Sequence, residues 1–142
     1  MQWWSDFKAG ASKKLSQFNN STFKNGAMAT AALITAADGS VDKSEVSKVA
    51  GFIGSCDWLQ AFDAADLKKQ FEAYCGDAGD EFRRINLLQL VRKLKGNEAQ
   101  ADTAIRMAIV IANADGDFAE AEKKVVRELC GVLGLAADTY LA

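Results

Sequence analysis

The chain has 142 residues, 49% hydrophobic and 25% charged, with a formal net charge of −2. That is enough for one domain with a real core and an ordinary globular composition, and its acidic balance argues against a protein that lives on nucleic acid. Histidine is absent, which removes the usual general base, the His-bearing catalytic triads and the commonest transition-metal ligand. Cys56, Cys75 and Cys130 form no C-x-x-C pair. An odd number at those spacings favours free thiols in a reducing compartment, and none sits in a thiolate-stabilising motif, so all three are expected to be inert.

Proline is absent and β-branched alternation is scarce, whereas apolar residues recur at helical spacing, so the whole chain reads as α. The N-terminus carries charges within its first eight residues and no apolar h-region, unlike a secretory signal. A first helix is expected over 3–18, with Trp4, Phe7, Ala11, Leu15 and Phe18 on one stripe beside Lys8, Lys13 and Lys14. Such an amphipathic segment, residues 1–20, suits either docking on the bundle or peripheral contact with an anionic membrane surface through 3–18. Residues 21–142 form the helical domain.

Ser21 is the expected N-cap of a small-residue helix over 22–37, and the longest weakly polar run, Ala27 to Ala37, is too short to span a bilayer. Asp38-Gly39 ends it, and Asp42-Lys43-Ser44-Glu45 has the capping-box pattern that starts the next helix, to about 54. Asp63 is expected to cap a helix through Leu67, Phe71 and Tyr74, ending near Gly76. The next spans about 80–95, through Phe82, Ile85, Leu88, Val91 and Leu94, and Gly96 stops it. Arg83, Arg84, Arg92, Lys93 and Lys95 make this helix basic, which suits a solvated face or a docking surface for an acidic partner. A helix over 98–113 faces Ala101, Ile105, Ala108, Ile109 and Ala112 inward; another over 120–133 uses Val125, Val126, Leu129 and Leu133, with Gly134 closing it and a short tail adding a turn. The expected fold is all-α, a compact bundle of about six to seven helices containing two related helix–loop–helix elements.

Those two elements share an Asp-Gly-x5-Glu signature. Asp38-Gly39 leads to Glu45, Asp115-Gly116 leads to Glu122, and the second lies 77 residues after the first. The spacing matches the second half of an EF-hand loop, where Asp-Gly precedes a bidentate Glu. The first half does not match, because Ile34 and Ile111 stand where the leading Asp belongs. Neither loop is a complete calcium site alone. Glu45 is in phase with Val49 and Phe52, and Glu122 with Val126, Leu129 and Leu133, so each glutamate starts its helix on the inward stripe. An inward carboxylate is costly unless paired, hydrogen-bonded or bound to a cation. If the hairpins pack together, Asp38, Glu45, Asp115, Asp117 and Glu122 converge, and a divalent cation relieves their repulsion. An all-oxygen, His-free set favours Ca²⁺, Mg²⁺ or Mn²⁺, with Ca²⁺ best suited to a flexible loop. The competing reading is structural: Asp-Gly is a common helix-ending turn, and Glu45 completes a capping box with Asp42.

With those residues in view, the chain resembles the TerB family of tellurite-resistance proteins. The resemblance covers about 25–135 and rests on A-A-D-G-x-V-x-x-x-E early and A-N-A-D-G-D-F-x-x-x-E late, behind an aromatic, lysine-containing N-terminal segment. It implies a bundle of about seven helices and a cytoplasmic protein working at the inner face of the membrane, beside other tellurite-resistance and stress-response proteins. It also implies a cation site at the paired acidic loops, carried here by Asp38, Glu45, Asp115, Asp117 and Glu122. Ser40, where the second loop has Asp117, departs from the pattern and makes the first half-site poorer. Tellurite is an oxyanion that an acidic cluster repels, so sequestration at the loops is not expected.

The expected function is therefore a non-enzymatic helical module of a bacterial stress response, binding a divalent cation. The alternative is a protein- or membrane-surface interaction scaffold whose acidic loops are structural. An enzyme is disfavoured, because no nucleophile–base pair or phosphate loop accompanies the carboxylates.

Overall fold

A computed structural model describes residues 18–114 and 116–141; the helix expected over 3–18 falls almost wholly outside them. The described residues contain seven α-helices, one 3₁₀ turn and no strand. They are α1 (Ser21–Thr35), α2 (Lys43–Gly54), the 3₁₀ turn Asp57–Leu59, α3 (Ala64–Ala78), α4 (Glu81–Arg92), α5 (Glu98–Ala112), α6 (Glu120–Leu133) and α7 (Asp138–Leu141). An all-helical bundle is thus what the apolar spacing led one to expect.

Helix α1 is the axis of the bundle. From Gly26 to Thr35 every residue is buried, because α2, α3, α4, α5 and α6 all pack against it. A helix apolar on all sides belongs in an interior. Its small residues bring neighbours close: a Cβ on Gly26 would lie 2.8 Å from the Leu94 side chain. The two buried hydroxyls bond back within the helix, Thr30 to Gly26 O at 2.8 Å and Thr35 to Ala31 O at 2.7 Å, which removes the cost of burying them.

Capping residues set where the helices begin. Asn20, rather than Ser21, caps α1, its Oδ1 accepting from Phe23 N at 2.8 Å. Asp42 caps α2, Asp63 caps α3, Asp80 caps α4 and Asn97 caps α5, each through a side-chain oxygen. Three ends differ from expectation, among them that of α4, which closes at Arg92 rather than near 95. Helix α1 gives way to a turn after Thr35, and α3 passes through Gly76 to Ala78, since Gly76 lies on the exposed side with open space where a Cβ would stand.

Helix α4 corrects the expected stripe. Leu87, Val91 and Leu94 are buried, but Phe82 is 82% and Ile85 53% exposed. Residues spaced by three slip about 60° per step around an α-helix, so Phe82 and Val91 point about 180° apart. The basic character of α4 is also divided: Arg84 forms a bidentate pair with Glu128 of α6, one bond at 3.0 Å, while Arg83 lies 3.9 Å from Asp77. At the C-terminus, the Tyr140 hydroxyl donates to Asp102 Oδ1 at 2.6 Å and pins α7 to α5.

A candidate acidic cavity between two loops

The α1–α2 and α5–α6 connections turn in the same way. In the first, Ala36 N donates to Ala32 O, Ala37 N to Ile34 O and Gly39 N to Ala36 O. In the second, Asn113 N donates to Ile109 O, Ala114 N to Ile111 O and Gly116 N to Asn113 O, each 77 residues later. Gly39 and Gly116 have φ of 86° and 77°, which an L side chain adopts only under strain. This is why glycine follows the aspartate in both.

Asp38, Glu45, Asp117 and Glu122 all line one cavity of about 230 Å³. Its walls come from the C-terminal ends of α1 and α5 and the first turns of α2 and α6, through Ile34, Val49 and Ile111 among others. Four of the five expected site residues thus share one space; the fifth, Asp115, lies outside the described residues. Glu45 and Glu122 are half-buried, consistent with their place beside the inward stripe, while Asp38 and Asp117 are exposed at the rim.

The carboxylates also have local duties. Asp38 Oδ1 accepts from Ser40 N at 3.0 Å and from Ser40 Oγ at 3.1 Å, closing its own turn. Glu122 Oε1 accepts from Ala119 N at 2.8 Å. Ala119 holds the N-cap position of α6 but offers no side-chain acceptor, so Glu122 supplies the reciprocal half of a capping box by itself. In the first loop Asp42 makes the opposite half, its Oδ1 accepting from Ser44 N at 2.9 Å. Cap chemistry thus engages Asp42 in the first loop and Glu122 in the second.

Lys48 also lines the cavity, and the sequence reading missed it. The available signal was its place three residues after Glu45, on the same face of α2. The Asn113 Nδ2 donates to Ile109 O at 3.2 Å, and the residue does not line the cavity. A second, more apolar cavity of about 260 Å³ adjoins the first along α2, sharing Lys48, Val49, Ile111 and Ala114 and reaching Phe52.

The donor chemistry fits a hard cation, since the acidic residues offer only oxygen. The spacing is looser. Among the described residues no three Asp, Glu or Cys side chains are grouped closely enough to hold a metal ion. A carboxylate has about four lone-pair positions, so a cap bond leaves it capacity for a further partner. Redox chemistry finds no support nearby: all three cysteines are buried, and burial, aided by the Glu72 charge, pushes the Cys75 thiol up to about 12. Burial also raises the Cys130 thiol. Both therefore stay protonated and weakly nucleophilic at neutral pH. No described helix is long and apolar enough to cross a membrane.

The family model described as Tellurite resistance protein TerB matches residues 24–141. No curated protein and no solved structure matches the chain. With its all-helical architecture and a match running over nearly the whole described bundle, the chain belongs to the TerB tellurite-resistance family.

Proposed function

We propose that this protein is a non-enzymatic module of a bacterial stress response that binds one divalent cation, Ca²⁺ in first place, between its two acidic loops. The observation that carries the reading is the shared cavity: Asp38 and Glu45 from one hairpin, and Asp117 and Glu122 from another, line the same space. We read the two hairpins as a duplicated element, with Asp115 as the fifth ligand. Like-charged groups around a small volume raise one another's energy, and a cation lowers it. Tellurite itself is repelled there, so resistance arises through partners rather than through sequestration. Those partners are other tellurite-resistance or stress-response proteins in the cytoplasm, with residues 3–18 giving peripheral contact with the inner membrane face.

Calorimetry on chelator-treated full-length protein tests the cation. The expected result is saturable heat and a rise in Tm with Ca²⁺, weaker with Mg²⁺ or Mn²⁺. No heat and no Tm shift with any of the three at millimolar concentration would overturn the reading.

A second reading has its own support. Lys48 brings a fixed positive charge into the cavity and Glu122 is engaged as a cap. On that reading the acidic loops are purely structural and the protein is an interaction scaffold for a protein or membrane surface. Silence in calorimetry would favour it.

A further inference from the structure

The exposed face of α4 is apolar at its centre and carries opposite charges at its two ends. At about 100° per residue, Glu81, Phe82, Ile85, Gln89, Arg92 and Lys93 fall within one third of the helix circumference. That sector lies opposite Leu87 and Val91, which are buried against the bundle. All six residues of the face are exposed, and Phe82 and Ile85 are the two most exposed large hydrophobic side chains among the described residues. Among the described residues, neither belongs to the core or packs against it. Single exposed apolar residues are ordinary; two on adjacent turns of one helix, bracketed by acid at one end and base at the other, form a pattern.

We infer that this face of α4 is a self-complementary docking surface for a second copy of the chain, packed antiparallel about a twofold axis near Ile85 and Gln89. A twofold operator places the same flank of each helix against itself with the ends reversed. Glu81 and Arg92 share one flank, so Glu81 of one copy meets Arg92 of the other, twice. Phe82 and Lys93 share the opposite flank, so the Phe82 ring lies under the stem and ammonium of Lys93 from the second copy. Ile85 and Gln89 cross at the axis. The antiparallel arrangement also sets opposite ends of the two helix dipoles side by side. A parallel pairing would instead gather both Glu81 side chains at one end and both Arg92 and Lys93 pairs at the other, with no opposite charge across the seam, so the antiparallel arrangement is favoured.

One twelve-residue helix pairing with its copy buries less than the roughly 1,200–2,000 Å² of a stable interface. The dimer is therefore weak, and its population depends on local concentration. Exposed ion pairs make it weaker still at high salt.

Sedimentation velocity on the full chain, from about 10 μM to about 1 mM, reads the equilibrium in the affinity range of a small interface. The wild type is expected to pass reversibly from monomer to dimer within that range. Phe82→Ser should weaken association by about tenfold or more, as removal of a central aromatic anchor does. Glu81→Arg and Arg92→Glu should each weaken it, and the double variant Glu81→Arg/Arg92→Glu should restore it, because reversal of both charges preserves the complementarity. All these positions are exposed, so far-ultraviolet circular dichroism should not move, while the charge reversals, at the first and last turns of α4, should lower Tm slightly without unfolding the chain. A monomer at every concentration would overturn the inference. So would a dimer indifferent to Phe82→Ser, or a double charge reversal that fails to recover association. A monomer that instead binds phosphatidylserine vesicles through Phe82 would assign the face to lipid and overturn it equally.

Discussion

The two loops share three backbone hydrogen bonds and a glycine at positive φ, yet they use different side-chain means of support. In the first, Asp38 holds the turn through Ser40, and Asp42 caps α2. In the second, Ala119 occupies the cap position and Glu122 reaches back to its N–H. The flanking apolar residues differ too: Val41 is exposed, whereas Phe118 is half-buried against the core with the Lys123 ammonium 5.7 Å from its ring centre. The difference teaches that a shared signature need not mean shared roles. Glu122 is a helix-starting residue as well as a candidate ligand, while α2 keeps Asp42 as its cap whatever Glu45 does.

The largest expected effect separates a joint site from a single-loop site. Glu45→Gln and Glu122→Gln should each weaken Ca²⁺ binding by about tenfold or more, roughly 1.4 kcal/mol, measured by calorimetry. If only Glu122→Gln matters, the cation belongs to the second loop alone and the two hairpins do not cooperate.

Next in size come the glycines. Gly39→Ala and Gly116→Ala should each cost about 1–2 kcal/mol in urea unfolding, since both positions hold positive φ, while a Cβ at either would meet no neighbour. A marked inequality would show that one turn is better able to relax than the other.

Smaller effects should follow the caps. Ala119→Ser supplies the acceptor that α6 lacks and should stabilise by about 0.5–1 kcal/mol, while Asp42→Ala should destabilise by about 1 kcal/mol. In the Ala119→Ser background, Glu122→Ala should cost less than it does in the wild type. Equal costs in the two backgrounds would mean that the cap bond carries little of the stability of α6.

The smallest effect at neutral pH lies away from both loops. Cys75 is raised from 9.0 to about 12, so above pH 9 the unfolded chain releases a proton that the folded chain keeps. The folded state then binds more protons, and stability falls as pH rises from about 9 towards 12, with no contribution from this group between pH 5 and 8. Tyr140, raised by burial and by its bond to Asp102, acts in the same direction. Urea midpoints at pH 8 and pH 10.5 should therefore differ, and Cys75→Ala should reduce the difference.

Much of this was legible in the sequence. The all-helical class, the αL glycines and the inward faces of α3, α5 and α6 followed from period and punctuation, because long apolar repeats overdetermine a helix. That Asp38, Glu45, Asp117 and Glu122 come to line one space was legible as well. Helix α4 was not. Its apolar residues lie on opposite sides, and a spacing of three that looked like a stripe spirals around the helix. Lys48 was missed because a lone lysine among surface residues carries no mark of the cavity beside it. The choice of Asn20 over Ser21 as cap was beyond reach, as both are good cap residues and one position of register decides between them.

Helix α1 has a consequence for how the molecule opens. Every residue from Gly26 to Thr35 is buried, and five other helices pack on it, so no single neighbour can detach without exposing part of it. Local fraying can reach the loops and α7, but the amides of α1 meet solvent only when the whole bundle comes apart. Their hydrogen-exchange rates report the global unfolding equilibrium. Anything that binds at the α1 end of the cavity slows the exchange of the entire core, even of amides that lie far from it.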